Sequence, residues 1–411
     1  MKVLFTTPIL EYPPAGGPFL RIKNSIKALN FISDLHVISR VTKKDIGGQK
    51  ADEYYRRYCK EMIYLPVIKL SKKNVFLYRV KKIKKILFGL NRKNYSFDDY
   101  VLSWNAKFII KYAEKHSIDL IWAGYGNISY PIIREIKRQK PNLKIICDTD
   151  SVWSRFVLRA LPYEKNIEKI KKIRDEGLKK EKEERELVEL CDLTTAVSDV
   201  DSQYYKSLTK NKNKIKLFSN VIDLDDYEKE EKSPGLNKPN VYLAGTFWPG
   251  SPMENAARWF VNNVFEIIKK EIPAIHFYIL GRDSDKILSD MKDENIIILG
   301  RVDNASFYLK DSDVAIVPLF FESGTRFKIL EAGACGIPLV STVLGAEGLP
   351  VESGRDILLA DDPQDFANAV IELIRNKKFA NRIAQNCREL VCEKYGLEKL
   401  KAEGKQILDY F

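Results

Sequence analysis

The sequence predicts an α/β protein of two doubly wound parallel sheets facing each other across a cleft. Three observations carry this reading. Short β-branched or aliphatic runs alternate with longer helix-period stretches. The alternation stops at residues 223–239 and then restarts. The 411 residues suffice for two or three domains.

The first series of strand-like runs is Val3–Thr7, Leu35–Ser39, Leu120–Trp122, Lys144–Cys147, Leu193–Val197 and Ile215–Phe218. Helix-period stretches such as Phe19–Leu29, Asp98–Lys115 and Tyr130–Arg138 separate most of them. This alternation is the pattern of a parallel sheet covered on both faces. Residues 223–239, DLDDYEKEEKSPGLNKP, are acidic and then Pro/Gly/Asn-rich without apolar period, and mark the linker. The second series is Val241–Ala244, a helix over Glu254–Ile268, His276–Leu280, Ile296–Leu299, Val314–Pro318, a helix ending near Cys335, Leu339–Ser341 and Ile357–Leu359, followed by two closing helices. The segment 164–190 reads as a solvated helix laced with ion pairs. The expected domains are 1–222 and 239–394.

Composition narrows the class. The chain is 45% apolar and 30% charged, normal for a packed protein, and no apolar run approaches the roughly 20 residues that span a bilayer. The opening MKVLFTTPILEYPPAGG reads as a buried strand and loop rather than a secretion signal. The six cysteines form no CxxC pair, and His36, His116 and His276 are scattered without metal-ligand spacing. Reduced core cysteines and no metal site are expected. The net charge of +12 is uneven: residues 1–150 hold 29 Lys/Arg against 13 Asp/Glu, and the remainder is slightly acidic. Such asymmetry points to an anionic partner at that end.

Ligands of doubly wound sheets sit beyond the carboxyl ends of the strands, so the loops after strands hold the candidate site. Gly16 and Gly17 lie between the first strand and a helix, where backbone and helix end can approach negative charge. The most distinctive stretch is Glu322–Ser341, ESGTRFKILEAGACGIPLVS, after Val314–Pro318. Ser323, Gly324 and Thr325 supply a loop and a helix N-cap, whose free amides suit a phosphate. Arg326 and Lys328 place cations where the macrodipole favours anions, which makes sense if an anionic ligand is bound there. Glu331 follows on the same helix, where its carboxylate suits ribose hydroxyls. Asp148 and Asp150, in the loop after Lys144–Cys147, face the cleft in this architecture, where an Asx turn or helix cap is the alternative.

The segment Glu322–Ser341 resembles the glutamate-bearing helix of retaining glycosyltransferases with two Rossmann-like domains, the GT-B fold, and most resembles glycosyltransferase family 4. Ala244–Pro249 with Asn255, Trp259 and Phe260, then Leu280-Gly281-Arg282, Leu299–Asp303, Gly345–Leu349 and Ile357–Pro363 extend the resemblance over nearly the whole chain. The resemblance implies a retaining, metal-independent hexosyltransferase of polysaccharide or glycolipid assembly, with no cofactor and a UDP- or GDP-sugar as donor substrate. Glu331 would hold the ribose, Val302 would lie against the base, and Arg326, Lys328 and the amides near Thr325 would face the diphosphate. Gly16 and Gly17 would approach it from the first, acceptor-binding domain, and Thr246, Arg282, Ser323 and Gly324 complete the donor set. Asp148, Asp150 and Glu322 are the catalytic candidates. The family's paired glutamates are separated by seven residues; here that position is Ser323, with Glu322 one place off register. The last helix, about 396–411, would return to the first domain. A nucleotide-sugar epimerase and a catalytically silent homologue are the alternatives.

From Met62 to Phe97 there is no acidic residue. Lys72, Lys73, Lys81, Lys82, Lys84 and Lys85 flank a helical stripe of Phe76, Val80, Ile83 and Leu87. A basic amphipathic segment of this kind reads as a surface for anionic membrane, each cation contributing about 1 kcal/mol. The alternatives are packing on the first domain and, less favoured because no recognised module is present, nucleic acid. The expectation is therefore a cytoplasmic protein, peripheral at the inner face of the cell membrane, acting on a glycan or lipid-linked acceptor.

Overall fold

The computed structural model describes residues 1–68, 71–87, 96–228 and 234–411; for Lys72 and residues 84–87 it describes the helical backbone only. Two all-parallel sheets are present. The first holds β1 (Lys2–Thr7), β2 (Asp34–Ser39), β3 (Glu61–Tyr64), β4 (Leu120–Gly124), β5 (Ile145–Asp148), β6 (Leu193–Ala196) and β7 (Ile215–Leu217), in the order β3-β2-β1-β4-β5-β6-β7. The second holds β8 (Asn240–Ala244), β9 (His276–Leu280), β10 (Ile296–Gly300), β11 (Val314–Val317), β12 (Leu339–Ser341) and β13 (Leu358–Leu359), in the order β10-β9-β8-β11-β12-β13. The expected strands are present within a residue or two. β3 is an addition: its sequence, EMIY, is too short and too mixed to stand out as a buried strand.

In each sheet the strand order reverses once, between β1 and β4 in the first and between β8 and β11 in the second. The crevices beyond the carboxyl ends of those strands are where such sheets take ligands. The loops that line them are 8–16 after β1, 245–251 after β8 and 318–326 after β11.

The linker region is not free chain throughout. Asp223 and Asp226 pair with Lys23 and Lys27 of the helix Gly17–Ile32. Ile222, Tyr227 and Leu236 join the core of the second domain. The helix Leu397–Leu408 crosses back and packs on Gly17–Ile32, with Leu400, Ile407 and Leu408 in the core of the first domain. Glu403 fastens it by accepting from the Ser219 amide at 2.7 Å and the Ser219 hydroxyl at 2.8 Å. No helix among the described residues is long and apolar enough to cross a membrane.

Candidate active site in the inter-domain cleft

The two domains meet along the stretch Ser323–Phe327. The Ser323 hydroxyl accepts from the Val152 amide at 3.1 Å, and the Thr325 hydroxyl donates to the Val197 carbonyl at 3.5 Å. Gly324 has φ +81°, and a Cβ there would lie 2.8 Å from the Asp150 carbonyl oxygen. Only glycine fits both the left-handed backbone and that approach. A Cβ on Gly17 would lie 2.9 Å from the Phe327 ring, and Gly16 faces Thr246 at 4.0 Å. The glycines singled out in the sequence therefore sit where the two domains approach each other, Gly324 against backbone and Gly16 and Gly17 against side chains.

The helix Phe327–Cys335 begins at this contact line. Its N-cap is Arg326, not Thr325; no side chain caps it, and no acidic residue lies in its first turn. Its opening amides are thus left for a ligand, the arrangement that attracts anions. Lys328 stands in that first turn, partly exposed, and no described residue hydrogen-bonds or ion-pairs with it. Burial lowers its pKa, so the ammonium is desolvated without a counter-charge in contact. One turn on, Glu331 accepts from the Tyr227 hydroxyl at 2.9 Å through Oε1. Its pKa is raised by burial. Lys328 and Glu331 line a small cavity of about 20 Å³ with Tyr242, Ala244 and Val317.

Arg326 is placed differently from the expectation. Its guanidinium is buried and turned onto the backbone carbonyls of Gly324 and Leu344, the second at 3.4 Å, and its Nε has no partner. Burial lowers its pKa, while the carboxylates of Glu322, Glu347 and Asp201 around it oppose this. It braces the loop rather than opening toward a diphosphate. The physical reason is that an N-cap residue has left the helical path, so its side chain follows the loop.

The acidic candidates divide. Asp148, at the end of β5, is fully buried, ion-paired with Arg21 and bonded to the Thr195 hydroxyl at 2.8 Å. Arg21 also donates to Asn220 at 2.8 Å, so Asp148 belongs to a network that ties the sheet to the helix Gly17–Ile32. Asp150, two residues on, accepts from the Trp153 indole at 3.2 Å. Burial pushes its carboxyl up to about 7, with the Trp153 hydrogen bond and Arg21 pulling the other way. The half-buried Tyr125, whose pKa burial raises first, also feels the charges of Asp150 and Glu322. Asp150, Glu322 and Tyr125 therefore share one desolvated region beside Gly324.

Further groups lie at the same cleft. Glu11, in the loop after β1, meets Arg282 at 3.2 Å and Arg301 at 2.8 Å from the second domain. Arg282 also stacks over Phe19, 5.9 Å from the ring centroid, so it is engaged across the domains. Val302, next to Arg301, is half-buried against the second core. Arg159 forks onto Glu347 at 2.6 and 2.9 Å and donates to the Glu322 carbonyl at 2.8 Å. Glu11, Tyr227 and Arg159 escaped the sequence reading because each acts on a partner more than a hundred residues away.

On the outer side of the first domain, the helix Lys72–Leu87 rests on Phe97–His116 through Tyr78, whose ring lies 5.9 Å from Phe97 and 6.3 Å from Tyr100. Lys81 lies over the Tyr100 ring at 5.2 Å and Lys82 reaches the Tyr78 hydroxyl at 3.4 Å, while Lys73 is exposed. Phe76 and Ile83 remain 65% and 56% exposed. The side chains of Lys72, Lys84 and Lys85 lie outside the described residues.

Residues 238–376 match the family of group 1 glycosyl transferases. Over its whole length the chain superposes on Anabaena Alr3699/HepE, solved in complex with UDP and glucose, with a TM-score of 0.67 at 14% identity and full coverage of both chains. The fold is GT-B. An uncharacterised 44.6 kDa protein in the cps region of Klebsiella pneumoniae is 25% identical over 174 residues, 40% of this chain and 45% of its own. The N-acetyl-alpha-D-glucosaminyl L-malate synthase of Bacillus anthracis is 24% identical over 233 residues, 54% of this chain and 60% of its own. The matches thus span about half the length of these curated relatives. The group 1 match falls on the domain that carries Lys328 and Glu331.

Proposed function

We propose that the protein is a retaining glycosyltransferase of the family 4 type, moving a hexose from a UDP- or GDP-sugar to a glycan or lipid-linked acceptor in cell-surface polysaccharide or glycolipid assembly. The observation that carries this is the helix start at Phe327: uncapped, free of acidic side chains, and bearing an unpaired Lys328 at the seam of the two domains. A pyrophosphate supplies the contacting anion that Lys328 lacks. Glu331, with Oε1 held by Tyr227, keeps Oε2 for ribose hydroxyls, and Val302 takes the base. The group 1 match over 238–376 and the UDP complex of a fold neighbour support a nucleotide-sugar donor.

In this reading the chemistry is mostly positioning and electrostatics. The amides of the helix start and Lys328 stabilise the leaving diphosphate as its charge develops, where a single such donor is worth about 10²–10³ in rate. Asp150 and Glu322 lie beside the reacting sugar and the acceptor hydroxyl, and Asp148 holds the Arg21 whose charge reaches Asp150. The donor phosphate assists the acceptor proton, so no metal takes part.

The acceptor-binding role falls to the first domain, where loop 8–16 with Gly16 and Gly17 closes over the donor. The exposed Phe76 and Ile83 with neighbouring lysines support docking on the inner face of an anionic membrane, where a lipid-linked acceptor resides. A thermal-shift panel of nucleotide-sugars, followed by mass spectrometry of products on lipid-linked acceptors, tests the function. Stabilisation by a UDP- or GDP-sugar together with a one-hexose mass increase is expected. No stabilisation by any nucleotide overturns the reading and leaves a catalytically silent homologue.

A further inference from the structure

Two histidines that are eighty residues apart in sequence meet in the fold, at the edge of the first sheet and toward the amino ends of its strands, away from the cleft. The parallel register sets His36 of β2 beside Glu61 of β3, and register neighbours project from the same face. The helix Phe97–His116 brings Tyr112 and His116, one turn apart, against that face. Glu61 Oε2 lies 3.8 Å from His36 Nδ1 and 3.8 Å from His116 Nδ1. The Tyr112 hydroxyl, 2.7 Å from His36 Nδ1, donates to Glu61 Oε2 at 2.6 Å. One ligand atom from each of His36, Glu61 and His116 falls within 4.8 Å of the others.

Two imidazoles and a carboxylate are a donor set for zinc and similar borderline divalent ions. Bonds of about 2.0–2.2 Å in a tetrahedron put ligand atoms roughly 3.3 Å apart. The two spacings from Glu61, at 3.8 Å, reach that by a contraction of about half an ångström, and the two imidazoles, within 4.8 Å of each other, close by up to about 1.5 Å. His36 Nε2 is buried without a partner, so no group outside the cluster fixes its tautomer. An ion has a way in, because the Glu61 and His116 side chains are 41% and 25% exposed. We propose that His36, Glu61 and His116 bind a divalent transition metal of the zinc type, with the Tyr112 hydroxyl kept on Glu61 and released from His36 Nδ1, whose lone pair the ion takes. The ion would clip the end of Phe97–His116 to β2 and β3, independently of the cleft and of the function proposed for it.

The test uses the full chain after chelator treatment, with Zn²⁺ titrated by calorimetry and Co²⁺ by visible absorption. One equivalent of Zn²⁺ and a Co²⁺ spectrum of nitrogen and oxygen ligands without thiolate charge transfer are expected. His116→Ala and Glu61→Gln should each weaken Zn²⁺ binding about tenfold or more while leaving any nucleotide-induced thermal shift unchanged. If His116→Ala does not fold, the near-isosteric Glu61→Gln decides. Absence of saturable binding, binding unchanged in the folded variants, or a thiolate band that assigns the ion to cysteines overturns the proposal.

Discussion

At the residue scale, Glu331, Tyr227 and Lys328 carry the account. Glu331→Ala should abolish the thermal stabilisation given by a nucleotide-sugar, and an unchanged shift removes the ribose assignment. Tyr227→Phe deletes the hydroxyl that holds Glu331 Oε1. It should cost about 1 kcal/mol in urea unfolding and weaken nucleotide binding. Asp150 sets a pH dependence. Its folded-state pKa is raised to about 7 from the ordinary carboxylate value, so its protonated form is the one folding favours. That contribution is complete below about pH 4, declines between about 4 and 7, and is gone above. Asp150→Asn should therefore raise the melting temperature relative to wild type at pH 8, and the difference should vanish at pH 4. A difference that does not change with pH contradicts the desolvated placement of this carboxyl.

At the scale of elements, the strands were legible because buried parallel strands are short apolar runs, and the linker because its composition changes abruptly. β3 was not, since Glu61 and Tyr64 bracket only two aliphatic residues. The helix Gly126–Gln139 starts earlier than Tyr130 and holds Pro131 at its sixth position, where the ring removes one amide from the i→i−4 ladder, so the sequence pattern read only the part that follows. The cap was misplaced by one residue because Thr325 has the ordinary capping side chain but spends it on Val197. Of the candidate site, the loop and helix that carry residues 323–331 were readable from local spacing. Arg326's orientation and the partners Glu11, Arg159 and Tyr227 were not, because they depend on how the domains close. Gly324→Ala tests the seam itself: at φ +81° a side chain costs about 1–2 kcal/mol, and its Cβ would press on the Asp150 carbonyl. Melting should show that loss, with a fall in transfer activity larger than the loss of folded protein.

At the scale of the molecule, three sets of charges hold the domains together. Glu11 bridges Arg282 and Arg301, Arg159 forks onto Glu347, and Lys23 and Lys27 hold the chain entering the linker. The pairs differ in burial: Lys23 and Asp223 are buried, whereas Arg159 with Glu347 and Arg301 with Glu11 are reached by solvent and are the ones that can part when the cleft opens. Arg159→Ala should raise the radius of gyration seen by small-angle scattering without nucleotide, and saturating nucleotide should restore it. The outer basic helix predicts that the protein sediments with anionic vesicles and not with neutral ones, and that Lys73→Glu with Lys82→Glu abolishes this.

The uncapped helix start at Phe327 and its unpaired Lys328 should form a seat for a pyrophosphate. Calorimetric titration of UDP and GDP into wild type and Lys328→Met measures it most directly. One nucleotide should bind wild type and lose about tenfold or more in the variant, the effect of removing a charged hydrogen-bond donor. Equal affinities in the two folded proteins would contradict the account.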